Sequence, residues 1–213
     1  MRRRLDREDF ENIYAQSPDP WSYETSSYEH SKYERTLEVL AHRRYNHALE
    51  AGCSIGVFTA MLAPLCDKLL AVDISEKAVF VARERLAIFP QVCVEQRALP
   101  EETPEGPFDL IVASELLGYW PKETTLAALQ RFEEVLIPGG ALLAVHGRVP
   151  WTSWRRRMID KVRPLFLRHW ILRNRPFFAA GDEVHKLLIE HTLLTTTASF
   201  VEPLYRIELF EKK

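Results

Sequence analysis

Eleven residues, Asn46-His-Ala-Leu-Glu-Ala-Gly-Cys-Ser-Ile-Gly56, do most to limit what this chain can fold into. A short apolar run ends at Glu50. Small residues crowd a turn through Gly52, Cys53, Ser54 and Gly56, and the apolar stretch Val57-Phe-Thr-Ala-Met-Leu-Ala63 follows. Strand, tight turn and helix in that order open a βαβ unit. Small turn residues let the backbone approach a bound molecule closely, and the open N–H groups of a new helix receive electron-rich groups. A second strand, Lys68-Leu-Leu-Ala-Val-Asp73, ends in an acid 21 residues after Gly52 (73 − 52 = 21). That spacing suits a carboxylate that accepts hydrogen bonds from both hydroxyls of a ribose. The unit is expected to bind an adenosine-type ligand.

Around this unit the pattern alternates. Helices are expected at about residues 5–15 and 28–40, with Tyr33, Leu37 and Leu40 on one face of the second. Strand one ends at Glu50 and its helix runs to about Leu65. Strand two ends at Asp73, and the next helix runs from Ser75 to about Phe89. Strands follow at Val92–Glu95 and Phe108–Ser114, then a helix at about Lys122–Leu136. The turn Pro138-Gly-Gly140 leads into a fifth strand, Ala141–His146. A helix near Gly181–His191 precedes two strand-like runs, Thr195–Val201 and Leu204–Phe210, which are close enough to pair as a hairpin. The alternation implies α/β architecture with a parallel sheet covered on both faces. One domain is expected over residues 1–213: a helical cover (1–42), a binding core (43–150), a basic aromatic insertion (151–178) and a C-terminal helix and hairpin (179–213). Between residues 151 and 175, eight Lys/Arg face one acid among Trp151, Trp154, Phe166 and Trp170. This is either a solvated helix packed on the domain or a docking element for an anionic or lipid-bearing acceptor.

A net charge of −2 argues against a general nucleic-acid binder. No apolar run reaches the ~20 residues that span a bilayer. The basic start has no apolar stretch behind it, so no secretory signal is expected. Cys53, Cys66 and Cys93 are scattered and odd in number, as expected of reduced, mostly buried thiols in a cytoplasmic protein. The histidines show no metal-ligand spacing, so no metal is expected.

Three ligand chemistries compete for the glycine turn. A hydride-transfer fold wants G-x-G-x-x-G, but Ser54 holds the middle position. Gly52-Cys-Ser54-Ile-Gly56 fits the G-x-S-x-G nucleophile elbow, with His146 or His185 as base and Asp109 or Asp182 as acid. That leaves Asp73 without a role. The third is a site for S-adenosyl-L-methionine (SAM), with Glu50 near the amino acid end, the Gly52–Gly56 backbone beneath, Asp73 on the ribose, and Ser114 with Glu115 closing the site.

The third order of features resembles the class I SAM-dependent methyltransferases, and more narrowly the nodulation protein S type of N-methyltransferase. The residues that carry the resemblance are Pro18-Asp-Pro-Trp21, Tyr28-Glu29 with Lys32-Tyr33, Ala48–Gly56, Phe108-Asp-Leu-Ile-Val112, Ser114-Glu115 through Tyr119-Trp120, Ala144-Val-His146, Gly181–His185 and Tyr205–Phe210. The resemblance implies a Rossmann-like three-layer sandwich with a seven-stranded, mostly parallel sheet whose last strand is antiparallel. It also implies SAM as cofactor and S-adenosyl-L-homocysteine (SAH) as product. It places Glu50, Gly52, Cys53, Ser54 and Gly56 at the methionine and ribose, Asp73 with Ile74 at the ribose, and Ala98 with Leu99 near the adenine. Arg97 stands where many relatives carry an acid for the adenine amino group, and Gly118 where they often carry a tyrosine.

His146, at the end of strand five, is the expected catalytic base; otherwise it hydrogen-bonds a loop. Glu115 either orients an amine and accepts its proton or contacts the cofactor. Tyr119, Trp120, His146 and His185 are expected to line the acceptor pocket, with core packing as the rival role for the aromatics and a structural role for His185. Trp21 and Tyr28 belong to a cover that excludes water or to a packing clamp. The acceptor is expected to be a small molecule, an amino sugar or anionic glycoconjugate, methylated on an amine or a hydroxyl. A SAM-binding protein without turnover is the alternative of another class. A monomer or a homodimer fits equally.

Overall fold

The computed structural model describes residues 4–148 and 181–213. The basic aromatic segment 151–175 lies outside the described residues. Seven strands form one sheet in the order β3-β2-β1-β4-β5-β7-β6. They are β1 (Ala48–Ala51), β2 (Leu69–Asp73), β3 (Val92–Gln96), β4 (Phe108–Ser114), β5 (Leu136–Gly147), β6 (Thr195–Val201) and β7 (Tyr205–Glu211). Neighbours from β3 to β5 run parallel, while β7 is antiparallel to both β5 and β6. This is the Rossmann-like sheet that the resemblance implies. The central strands read as continuous apolar runs because both faces are covered, and every residue of β1 is buried.

The helices are α1 (Arg7–Gln16), α2 (Ser27–Leu40), α3 (Val57–Leu62), α4 (Glu76–Leu86), α5 (Lys122–Val135) and α6 (Gly181–His191). Tyr33, Leu40, Phe58 and Leu62 pack with Leu110, Leu143 and Leu209 on one face of the sheet. Ala128, Phe132, Val184 and Leu188 pack with Ile111, Leu142 and Phe210 on the other. Polar side chains set where the helices start. Asp6 and Asp9 form a reciprocal capping box, each accepting the other's N–H at 3.0 Å, and Ser26 and Ser75 cap α2 and α4.

Two boundaries differ from the periodicity. The helix after β1 stops at Leu62, and Ala63–Leu65 is a 3₁₀ turn, because Pro64 has no N–H to continue the ladder. β5 begins at Leu136 rather than Ala141. Pro138-Gly139-Gly140 forms an irregularity within the strand, where Gly139 adopts φ +74° and donates its N–H to Lys212 O at 2.7 Å.

Strand order reverses between β1 and β4. Open α/β sheets bind ligands in the crevice beyond such a point. Here that crevice is roofed by the N-terminal segment. Arg4 reaches Leu99 O and Glu101, Glu11 binds the start of α4 through Glu76 N–H and Lys77, and Tyr14 meets Ser54.

Candidate active site

The turn after β1 is tied to its neighbour. Gly52 and Cys53 N–H both donate to Val72 O, at 2.8 and 2.9 Å. Gly52, Ser54 and Gly56 take φ of +80°, +52° and +77°, and such alternation curls the backbone around a concavity. A Cβ at Gly52 would come 3.1 Å from Leu116 Cδ1 on the wall of the cleft. Gly56 has a different task. A Cβ there would meet Leu86 Cδ1 at 2.9 Å and Ala82 Cβ at 3.2 Å, so it permits α4 to pack against the turn.

Asp73 closes the turn. Its Oδ2 accepts Ser54 N–H at 2.9 Å and its Oδ1 accepts Ser75 N–H at 3.0 Å. Burial pushes this carboxyl up to about 6, against the pull of those N–H donors. Glu50, at 3% exposure, is pushed up to about 8 by burial reinforced by the Asp73 charge. Its Oε2 has no hydrogen-bond partner among the described residues. A buried acid with an idle oxygen beside a cleft suits a cationic ligand group.

The sign of the Glu50 shift makes a prediction. Below the ordinary carboxyl range both folded and unfolded chains are protonated and nothing is lost. As pH rises from about 4.5 to 8, only the unfolded chain ionises, so the folded state loses stability across that window. Glu50→Gln is expected to stabilise the ligand-free protein by at least about 2 kcal/mol at pH 8. The gain should fade towards pH 5, and thermal unfolding at the two pH values measures it.

The cleft lies beyond the carboxyl ends of β1, β2 and β4, beneath the N-terminal segment. Gly52, Ser54, Asp73, Ile74, Leu99, Ser114, Glu115, Tyr119 and Trp120 line it. Glu50, Cys53, Gly56 and Ala98, expected at the cofactor, are not among its lining residues. Cys53 is buried, with its thiol pushed well up by burial, and Ala98 N–H is taken by Glu102 Oε2 at 2.6 Å. Arg97 also lines the cleft, held by Glu95 Oε2 at 2.7 Å. Trp21 lines the cleft and sits edge-on to Tyr14 at 5.6 Å, as a cover would. Tyr28 does not line it; its ring meets Tyr205 of β7 at 6.1 Å, which is the clamp role.

Sequence reasoning missed Tyr14 and underrated Lys32. Tyr14 OH lies 2.6 Å from Ser54 Oγ, so the hydroxyl of the G-x-S-x-G match meets a phenol, not an imidazole. Asp109 accepts Asn46 and His47 N–H at 2.7 and 3.0 Å on the start of β4, remote from Ser54, and the nucleophile elbow assembles no triad. Lys32 is 1% exposed, with Nζ 2.6 Å from Glu29 and 2.9 Å from Glu115. Burial opposes its charge, but Glu115 and Glu29 outweigh it and hold the ammonium above its ordinary range. The legible signal was a lysine on the same face as Thr36 and Leu40, three residues after Glu29. Glu115 takes φ +54°, and its Oε2 accepts Gly147 N–H at 3.1 Å.

The two histidines are not on the cleft wall. His146 is 3% exposed, and burial holds its imidazole neutral down to about 4. Both its ring nitrogens lack partners among the described residues. His185, on α6, places Nδ1 2.6 Å from Glu208 Oε2. Among the described residues no group of His, Cys, Asp and Glu could hold a metal, and no helix is long and apolar enough to cross a membrane. Cys53 and Cys66 are buried and Cys93 is exposed.

Known proteins are similar to this chain in sequence and in fold. Nodulation protein S of Bradyrhizobium diazoefficiens is 35% identical over 133 residues, which cover 59% of this chain and 61% of that protein. The chain thus spans about 60% of the length of the curated relatives it matches. The crystal structure of a Pseudomonas syringae protein, provisionally a methyltransferase, superposes with a TM-score of 0.68 at 32% identity, covering 88% of this chain and 100% of that one. That of N-methyltransferase NodS from Bradyrhizobium japonicum WM9, in complex with SAH, reaches a TM-score of 0.76 and covers 96% and 97% of the two chains; at 22% identity it speaks for the fold alone. The sequence profile of nodulation protein S matches residues 7–151, from the first residue of α1 past the end of β5. Since that span carries nearly all of the cleft wall, the chain belongs to the nodulation protein S (NodS) family.

Proposed function

We propose that the chain binds SAM in this cleft and transfers its methyl group to an amine of an amino sugar or similar small metabolite. The observation that carries the reading is the pair of buried acids at the glycine turn. Asp73 sits at the end of β2 with its carboxylate against the turn, and Glu50 has an idle oxygen. Family membership and the fold shared with a NodS crystallised with SAH support it.

Asp73, with Ser54 and Ile74 beside it, takes the ribose. Glu50 and the Gly52 backbone face the methionine end, Leu99 and the backbone around Ala98 the adenine, and Ser114 the adjoining wall. SAM supplies an electrophilic methyl on a sulfonium that leaves as a neutral thioether, so little charge has to be stabilised. The protein's share is alignment and exclusion of water. Tyr119 and Trp120 wall the acceptor side, and Glu115, fixed by Lys32 and Gly147, orients the amine. His146 is already neutral at working pH but weakly basic, which suits it to a hydrogen bond rather than to ionising a hydroxyl. This favours N-methylation over O-methylation. We place the reaction in the cytoplasm, in keeping with three unpaired cysteines.

Glucosamine and its β-1,4-linked oligomers are the first acceptors to assay. SAH should accumulate with them and not with their N-acetylated forms. Turnover of hydroxyl acceptors alone would overturn the amine assignment. SAM binding without SAH release for any acceptor would make the chain a binding protein.

A further inference from the structure

The roof and the floor of the cleft meet at a pair of hydroxyls. Tyr14 comes from the buried face of α1 and Ser54 from the glycine turn, and both line the cleft with Asp73. Tyr14 OH lies 2.6 Å from Ser54 Oγ. Trp21 holds the phenol ring edge-on, with ring centroids 5.6 Å apart. Ser54 is held on its other side, because its backbone N–H donates to Asp73 Oδ2 at 2.9 Å. One residue thus touches the roof through its side chain and the cleft acid through its backbone.

Ser54 keeps its side chain where the backbone disfavours one. It takes φ +52°, in the left-handed region, with Gly52 and Gly56 on either side. A third glycine would adopt that conformation more easily. The phenol stays protonated, since burial, reinforced by the Asp73 charge, holds it far above its ordinary range. A hydroxyl has one proton to donate, so two hydroxyls joined by one hydrogen bond keep one O–H free. Among the described residues no acceptor takes that proton. The phenol is the more acidic of the two, so Tyr14 donates, Ser54 Oγ accepts, and the serine proton is left for a ligand. A hydroxyl that accepts a hydrogen bond becomes the stronger donor in turn.

We infer that Tyr14 positions the Ser54 hydroxyl to donate to a ribose hydroxyl that itself donates to Asp73, so that the cleft selects ribonucleosides over their deoxy forms. The inference rests on the SAM reading above. A carboxylate can only accept, and the Ser54 O–H supplies the donor that Asp73 lacks. Together they read one hydroxyl as donor and acceptor at once, and a ligand without it leaves both groups unpaired. Tyr14 acts through Ser54 and is a positioning residue. It makes the roof a part of ribose recognition rather than a cover alone.

Calorimetry on the whole chain with SAH and its 2′-deoxy and 3′-deoxy analogues tests this without any acceptor. Wild type should bind one of the two analogues about 50-fold more weakly than SAH, because a bond to a charged acceptor and a bond from a neutral donor are both lost. That penalty should shrink to about 15-fold in Tyr14→Phe and to about 10-fold in Ser54→Gly. In the double variant it should again be about 10-fold, because both residues serve one hydrogen bond; independent contacts would bring it to about 3-fold. A roof latch with no part in recognition would weaken all three ligands alike and leave the penalty at its wild-type value. Should either single variant fail to fold, the other decides. A penalty unchanged by the substitutions, or equal wild-type affinities for the three ligands, overturns the inference. If SAH does not bind the wild type at all, it is the cofactor reading that falls.

Discussion

Asp73→Ala is expected to lower the affinity for SAH by about 100-fold or more while leaving the ligand-free fold intact. The loss is large because both carboxylate oxygens are positioned by the backbone, through Ser54 N–H at 2.9 Å and Ser75 N–H at 3.0 Å, before any ribose arrives. Two hydrogen bonds from ribose hydroxyls to a charged acceptor contribute about 1.5 kcal/mol or more each. The fold survives because this acid is itself a burden on the ligand-free state. Burial raises its pKa to about 6, so above that pH the folded chain holds an ionised group that the unfolded chain ionises more easily. Between pH 4 and 6 Asp73 therefore contributes a decline in wild-type stability with rising pH, and alanine removes that share while the Glu50 share remains. Wild-type affinity for SAH should fall as pH drops through about 6, where Asp73 takes up its proton. Calorimetry across pH 5–8 with both proteins checks each point. Equal affinities for wild type and variant would remove the ribose from this cleft.

Lys32→Met has the opposite character: it strikes the fold. The ammonium lies between Glu29 at 2.6 Å and Glu115 at 2.9 Å, and Lys32 and Glu29 are both buried. Removing one member of a buried ionic set costs about 3–5 kcal/mol, because the remaining charges stay in a poor solvent. Here two carboxylates lose the cation between them, so urea unfolding at pH 7 should show a loss of about 3 kcal/mol or more. The triple variant Glu29→Gln/Lys32→Met/Glu115→Gln should recover most of it, since neutral groups carry no such penalty. It should nonetheless be inactive, because Glu115 no longer has a charge or a fixed position on the cleft wall. A Lys32→Met protein as stable as wild type would show that the trio is solvated and that Glu115 is not held by it.

Much of the fold was legible because it rests on local periodicity and turn chemistry. Glu50, Gly52 and Asp73 mark their own strand ends, Ser75 marks the start of α4, and the terminal runs pair as their spacing implied. The cleft was legible where a residue lies beside the strand ends, as Ser114 and Glu115 do. What escaped depends on contacts between distant segments. Nothing in the pattern of α1 says that Tyr14 reaches Ser54 forty residues away. His146 lies at a strand end, as the cleft residues do, but its β5 position points it to the α6 side, a choice set by pleat parity and not by residue type. Glu208 is one charged residue within the run Tyr205–Phe210, and the run by itself does not mark it as buried. Only the position of β7, between β5 and β6, puts it in the interior.

The roof over the crevice is fastened to the very walls it covers. Arg4 grips Leu99 O, Tyr14 grips Ser54, and Glu11 holds the start of α4. The upper wall of the crevice and the leading segment are therefore one mechanical unit, so a substitution in either is transmitted to the other through these contacts.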